Sequence, residues 1–502
     1  MSNNFIIFGF VLLKIGSRFV ESAEKSLKIS LVQALLPLVV LIGLLIVNVR
    51  IFGDEATSGA NQFALIMGGI VAGIIGLRLG FSYDEMLERV SVNIAQTSGA
   101  IIILLFVGAL TGVWLISGII PTMIFYGLKL LNPHIFLASA LLISALVSLI
   151  IGSSWSTTAT IGIALMGIGK AMGYDPAMIA GAVISGAYFG DKMSPLSDTT
   201  NLASAVAGVD LFTHVRYMMY TTIPSILIAL LIFVVMGWRH HLPSQVNHDM
   251  LLQDIEASFY VSPVLFLVPL AVIVLIVLKT RPLIALFAGV VLGALAAIIF
   301  QYPLLKSLAG SMHFSPGELY RVIIQAIVGD VQIDTGQPLL KKLFSSDGMS
   351  GMLSTIWLII TAMFFGGVME AIGALKRISI FLLQSLRGVF GLFAATDLTC
   401  IVFNATASDQ YLAIVVPGKM YKQAYDDAGL APENLSRTLE DSGTVTSVLI
   451  PWNTGGAYNS KVLGVSTYDY FIYAFFNLLS PVMTLIVAYF GFKIRRKNHS
   501  KS

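Results

Sequence analysis

Long apolar runs dominate this chain, and the polar residues that interrupt them fall at a few recurring places. About 20 consecutive apolar residues are needed for a helix to cross a bilayer. Runs of roughly that length lie at 31–52, 63–80, 99–120, 215–236, 258–278, 282–300, 352–374 and 468–492. Two further stretches, 176–207 and 432–463, are long enough to cross but are interrupted by Pro, Ser, Asn, Thr and Gly. Two more, 134–170 and 389–424, are apolar on both flanks around a polar knot, the pattern of a re-entrant hairpin. The pattern predicts an all-α polytopic membrane protein with about ten transmembrane crossings and two hairpins. The runs are continuous rather than alternating, which excludes a β-barrel. The short segment Phe5–Leu13 is followed by Lys14 and Arg18 without a small-x-small cleavage site. It reads as a weak extra span or a surface helix rather than a cleaved signal.

Composition strengthens this reading. Hydrophobic residues make up 56% of the 502 residues and charged ones 11%, far below the quarter or so typical of soluble domains. The net charge of +3 offers no basic surface for nucleic acid, so no nucleic-acid partner is expected. Membrane lipid is the expected surroundings. A lone cysteine, Cys400, cannot form an internal disulfide. An even number of crossings puts both termini on one side, and both are basic, which predicts a cytoplasmic location for each. Walking the loops assigns 18 of the 30 Lys and Arg to that side and 9 to the other. A cell membrane is the expected location. The largest polar insert, about 301–351, then falls outside, and within it Pro316–Val328 reads as a surface amphipathic helix.

A repeat is visible at a shift of 256, which lays Gly173 on Gly429, Pro176 on Pro432 and Pro195 on Pro451. Five crossings separate the two copies, an odd number, so the second runs inverted. Inverted repeats with interrupted helices are a transporter signature. The expected division is 1–28 as a cytoplasmic or interfacial segment, 29–98 as first scaffold helices and 99–236 as repeat one. Linking helices and the external insert fill 237–351, repeat two fills 352–492, and 493–502 form a basic tail.

Irregular backbone at membrane depth is tolerated only where protein or a water-filled cavity satisfies it. Four places qualify: Gly152–Thr158 and Asn404–Gln410 at the hairpin tips, and Asp191–Asn201 and Pro451–Gly456 in the interrupted spans. Their side chains offer hydroxyl, amide and carboxylate oxygen with little sulfur or imidazole, the chemistry of a hard cation. Pro and Gly release carbonyls as further ligands. An Asp able to hold either Na+ or H+ would couple the two.

Each feature also has a structural reading. Asp191 and Lys192 form an ion pair, or Lys192 snorkels. Asp198 caps a helix. Ser153, Ser154 and Thr157 hold a turn, and Trp155 packs. Glu370 is a second proton site or an interhelical hydrogen-bond partner. The spacings Gly69-x-x-x-Gly73 and Gly289-x-x-x-Gly293 fit close helix packing. The His residues are scattered, with His134 and His214 at span ends, and there is no His-Glu-x-x-His pair, so an enzyme is not expected. A channel remains a third class.

The stretches GSSWSTTATIGIALMGIG (152–169), GAVISGAYFGDKMSPLSDTTNLA (181–203) and GTVTSVLIPWNTGGAY (443–458) resemble the NhaC family of Na+/H+ antiporters. The resemblance covers roughly residues 30–490. It implies inverted repeats, each with a re-entrant hairpin followed by a broken helix, and an elevator-type motion. Matching tips and breaks residue by residue implies an ion- or substrate-binding region of Ser153, Ser154, Thr157, Asp191, Ser197, Asp198, Thr199, Asn404, Asp409, Asn453 and Thr454. Asp191, Asp198 and Asp409 are the implied sodium carboxylates. The site would be asymmetric, because Asp191 falls on Ser447 and Asp409 on Ser153 under the shift. Na+ and H+ are the implied cargo, with no cofactor. The family also includes sodium-coupled exchangers of small organic acids such as malate and lactate, which these motifs do not separate. A homodimer is expected by analogy with other elevator transporters.

Overall fold

The computed structural model describes residues 28–239, 248–310, 314–335, 341 and 343–497. The expected segment Phe5–Leu13 and the basic residues Lys14, Arg18, Lys25 and Lys501 lie outside the described residues. Helices dominate, and the one sheet among the described residues is a two-stranded patch, Val331–Gln332 against Ser345–Ser346, in the insert. Among the described residues, eight helices are long and apolar enough to cross a membrane, or up to ten if each of two bent pairs is one span. The protein is a multi-pass, all-α membrane protein.

The number ten agrees with the sequence, but its members differ. The first arms of both hairpins, within Pro133–Ile151 and Gly388–Thr406, are themselves long enough to cross. The interrupted spans are instead divided into shorter helices. The run expected at 99–120 belongs to a 34-residue helix, Tyr83–Ile116. Ser82 starts it with a capping box closed by Glu85, and Ser117-Gly118 ends it. Gly118 takes φ 76°, the left-handed region that Gly enters without penalty. A separate helix, Ile119–Leu130, then follows.

Two groups of helices pack closely within themselves and are joined by Ile119–Leu130 and Ala374–Ser385, which contact both. In the first, Tyr83–Ile116 and Ala60–Arg78 flank Leu353–Ala371, Leu31–Phe52 leans on Ala60–Arg78, and Pro282–Phe300 packs on Tyr83–Ile116. Arg89 and Glu370 bridge two of these helices at 3.6 Å, so Glu370 serves an interhelical pair. Gly289 and Gly293 admit Leu110, Val113 and Trp114 closely, as their spacing suggested. Gly69 meets the Phe364 ring, but Gly73 has open space beside it, so only half of that motif packs. Pro316–Val328 is a helix as expected, with a Ser315 capping box. It is anchored rather than loose, since Val322 and Ala326 are buried and it packs on Tyr83–Ile116.

The second body holds the hairpins and broken helices. Hairpin one runs Phe136–Ile151, turns at Gly152-Ser153, and returns through 154–171. Hairpin two runs Gly388–Thr406, turns at 407–409 and returns as Gln410–Asp427. Broken helix one is Pro176–Met193 and Asp198–Ala207. Broken helix two is Glu433–Leu439, a π-helical stretch Glu440–Thr444, and Thr454–Leu463 after the break. Leu211–Arg239 and Phe475–Tyr489 pack together against them.

Backbone punctuation repeats at the 256 shift where the side chains do not. Left-handed turns occur at Gly152 and Ser408, Gly173 and Gly429, and Gly208 and Gly464. N-caps occur at Ser153 and Asp409 and at Ser197 and Asn453. Any residue with a short polar side chain can cap a helix, so chain geometry persists while identities drift.

Candidate functional site

Each hairpin tip meets the break of its own repeat through two bonds that are related by the same shift. In repeat one, Ser148 Oγ donates to the Ala187 carbonyl at 2.6 Å and Ser154 Oγ donates to Asp191 Oδ2 at 2.7 Å. In repeat two, Asn404 Nδ2 donates to the Gly443 carbonyl at 2.6 Å and Ser447 Oγ donates to Gln410 Oε1 at 3.2 Å. The scaffold of the two cradles is shared, and the chemistry differs. One carries a carboxylate and the other an amide.

Asp191 is 4% exposed and ends the first half of broken helix one. The Ser154 backbone N–H also donates to Oδ2, at 3.1 Å, while Oδ1 is buried with no hydrogen-bond partner. Below it the chain breaks at Ser194-Pro195-Leu196 and restarts at Ser197, whose side chain caps the next helix by accepting from the Thr200 N–H. Ser197 and Thr199 share a hydroxyl hydrogen bond at 3.1 Å, and both are buried. Asp198 is therefore the first helical residue rather than the cap, and it is exposed. Its carboxylate accepts from the Tyr411 hydroxyl at 2.5 Å.

The other expected residues take mainly architectural positions. Ser153 caps the return arm by accepting from the Ser156 N–H, and Thr157 Oγ1 donates to the Ser153 carbonyl. Asp409 caps the return arm of hairpin two, Oδ1 accepting from the N–H groups of Tyr411 and Leu412 at 2.9 and 3.0 Å. Asn453 caps the helix after the second break and donates to both the carbonyl and the side-chain oxygen of Asn404. The Thr454 N–H donates to the Ser408 carbonyl, which fixes tip two against that break. Asp191, Asp198 and Asp409 all lie near enough to Tyr411 to act on it electrostatically. Among the described residues, however, no three acidic, His or Cys side chains converge as a metal-ligand group. Hydroxyl and carbonyl oxygens would have to complete a sodium shell around Asp191.

Aromatic residues at matching positions of the two tips cross to the other repeat. Trp155 stacks on Tyr458, ring centroids 4.3 Å apart, and the Tyr458 hydroxyl donates to the Trp155 carbonyl. Tyr411, its counterpart, bonds Asp198. Tyr188, fully buried, stands between Asp191 and Ser447 and accepts a long bond from Asn459. Sequence reasoning missed Tyr188 and Tyr411 as site residues, because neither differs from an ordinary core or turn residue in the string, and it left Gln410 in the polar knot without a role. The shift from Ser154 and Trp155 points to Gln410 and Tyr411.

The sequence marks Glu440 and Asp441 before the second break as costly acids, but not the second, fully buried charge group that they join. Lys192 does not pair with Asp191 or snorkel. It forms an ion pair with Asp441, both side chains wholly enclosed, and Ser480 and Thr484 add their hydroxyls to the Asp441 carboxylate. His214, expected at a span end, is buried beside this pair with Nδ1 on Ser436 at 2.8 Å. Glu440, Asp397 and Arg437 are buried too. The adjacent acids Glu440-Asp441 and the acid Asp397 inside an apolar run were the available signals.

The sequence profile described as the Na+/H+ antiporter family matches residues 186–492. The chain is 37% identical over 432 residues to the Na+/H+ antiporter NhaC of Alkalihalophilus pseudofirmus, covering 85% of this chain and 90% of that one. It is 35% identical to the arginine/ornithine antiporter ArcD of Halobacterium salinarum, covering 97% of each. It is 33% identical to the malate-2H+/Na+-lactate antiporter of Bacillus subtilis, covering 86% of this chain and 89% of that one. A profile match over more than half the chain, together with relatives of this identity along most of its length, means that the chain belongs to the Na+/H+ antiporter family.

Proposed function

We propose that the protein exchanges Na+ for H+ across the bacterial inner membrane, both termini cytoplasmic, by an elevator-type alternating access. The supporting observation is Asp191. A carboxylate in a membrane interior is costly and is kept for function. This one has one oxygen held by Ser154 and the other bare and buried, facing a helix break. The bare oxygen, the Ser197 and Thr199 hydroxyls and carbonyls freed at 194–196 would surround a sodium ion in transit. Asp198 and Asp409, held by Tyr411 and by backbone N–H groups, would shape the field rather than carry the ion.

Purified protein in proteoliposomes with an internal pH probe should dissipate a pH gradient when Na+ is added. Asp191→Asn keeps the shape and removes the charge. It should lower that rate at least tenfold, a factor worth about 1.4 kcal/mol. A rate within twofold of wild type would refute the assignment.

A sodium-coupled carrier of a small organic acid is the second reading. One relative is a malate/lactate antiporter, and a cavity of about 790 Å³ opens beside Pro451, lined by Lys461, Asp175 and Asp469 among others. That volume lies in the range of small-molecule sites and far exceeds the needs of Na+. Transport that requires malate or lactate together with Na+ would establish this reading in place of the first.

A further inference from the structure

Broken helix two carries a carboxylate that the sodium seat does not use. Glu440 is wholly buried, and neither of its oxygens accepts a hydrogen bond. The Thr444 hydroxyl lies nearby without closing one, being unpartnered itself. Glu440 also opens the π-helical stretch Glu440–Thr444. Such bulges are rare and concentrate at functional sites, because an extra residue in the turn frees a backbone group and re-aims a side chain. A buried carboxylate with no donor of its own is expensive unless something binds to it.

The charges around it indicate what that is. Asp191 and Lys192 reach Glu440 electrostatically from broken helix one, and Asp441 from its own segment. Lys192 is spent on Asp441. Among the described residues, Asp191 and Glu440 are therefore left as two acids in no ion pair, with Lys192 acting on Glu440 only from its place on Asp441. Beyond them, Asp397 on hairpin two faces Asp441. Arg437, one turn before Glu440, stands over the rings of Tyr217 and Phe393 with no hydrogen bond to its three nitrogens. His214 from Leu211–Arg239 faces the Lys192–Asp441 pair. Two neighbouring acids in a low-dielectric interior share a deficit that one added positive charge relieves. A second added charge gains much less.

We propose that Glu440 is the proton-carrying group of the exchange, separate from the sodium seat at Asp191 and coupled to it through their shared charge. The proposal rests on the sodium reading of Asp191. Glu440 takes a proton from water on one side as Na+ leaves Asp191, forming one O–H bond. On the other side it returns that proton to water as Na+ enters. Each ion weakens the hold of the other by the same factor, as linkage requires. Competition then needs no common ligand.

Two assays on one preparation separate the roles. Counterflow, the exchange of labelled for unlabelled Na+ without a pH gradient, needs the sodium seat alone. Uptake of labelled Na+ driven by a pH gradient needs proton coupling as well. Glu440→Gln, the neutral mimic of the protonated side chain, should weaken Na+ binding, keep counterflow at saturating Na+ within about twofold and lose gradient-driven uptake at least tenfold, with a flattened dependence of Na+ binding on pH. Glu440→Asp, which keeps a titratable group on a shorter arm, should retain driven uptake with a displaced pH profile. Glu440→Gln that keeps driven uptake, or that loses counterflow at saturating Na+ as well, overturns the proposal. Should that variant not fold, an unmoved profile in Glu440→Asp overturns it instead. Asp191→Asn should lose both activities. If it loses neither, the sodium reading of Asp191 fails and takes the proposed coupling with it, whereas Asp191→Asn losing both while Glu440→Gln keeps driven uptake fails the proposal alone; wild-type protein that moves no Na+ overturns both.

Discussion

Adjacent residues on a helix point about 100° apart and do not face each other. Asp191 and Lys192, neighbours at the end of a helix, therefore serve different partners, Ser154 and Asp441. The string suggests a local pair, and only the fold shows that Lys192 reaches 249 residues along the chain. The presence of costly charges was legible in the sequence, whereas their pairing was not, because pairing is set by which helices meet. Removing one member of an enclosed pair leaves the other charge uncompensated, typically at a cost of 3–5 kcal/mol. Lys192→Met and Asp441→Asn should each destabilise the protein by about that much in denaturant titrations in detergent micelles. The double variant should recover most of the loss. Additive losses would show that the two charges are not coupled.

Elements were more legible than contacts. Hairpins and breaks were readable because a polar knot inside an apolar run has few alternatives at membrane depth. Helix ends were less so. The run at 99–120 gives no sign that its helix begins at Tyr83, since the residues from 83 to 98 are mixed and only the Ser82 cap marks the start. The tips make a sharper comparison. Gly152 and Ser408 hold the same left-handed turn, at φ 74° and φ 60°. A Cβ at Gly152 would stand 2.7 Å from Leu196 Cβ and 3.0 Å from Ser197 N, so it would press on the first break. Gly152→Ala should then cost about 1–2 kcal/mol for the backbone alone and slow transport by shifting Ser197. Ser408→Gly relieves the same conformation and removes a buried hydroxyl without a partner. It should change stability by less than about 1 kcal/mol. Equal losses in the two variants, measured by denaturation and Na+ flux, would show that the tips do not differ in this way.

At the scale of the whole molecule, the question is which parts move together. Hairpins, broken helices, Leu211–Arg239 and Phe475–Tyr489 pack as one body, and the helices around Leu353–Ala371 as another. The seam between them opens into the cavity of about 790 Å³, with Thr355 and Leu358 on one wall and Ala457, Ser460 and Tyr473 on the other. An elevator motion requires the walls of that cavity to slide past each other during each cycle. A tether across it should stop transport without touching either ion. The chain suits the experiment, because its one cysteine, Cys400, is wholly buried and out of reach of polar thiol reagents. Thr355→Cys and Ser460→Cys, introduced together and joined by cleavable bis-thiosulfonates of graded length, should lose Na+ flux at least tenfold, a factor of about 1.4 kcal/mol in barrier terms. Flux should return when the bridge is reduced, and each single variant treated alike should keep its rate. A long tether that permits the motion should inhibit less than a short one. If the shortest bridge forms and flux continues at the rate of untreated protein, the two bodies do not move apart at this seam, and alternating access must come from the hairpin tips alone.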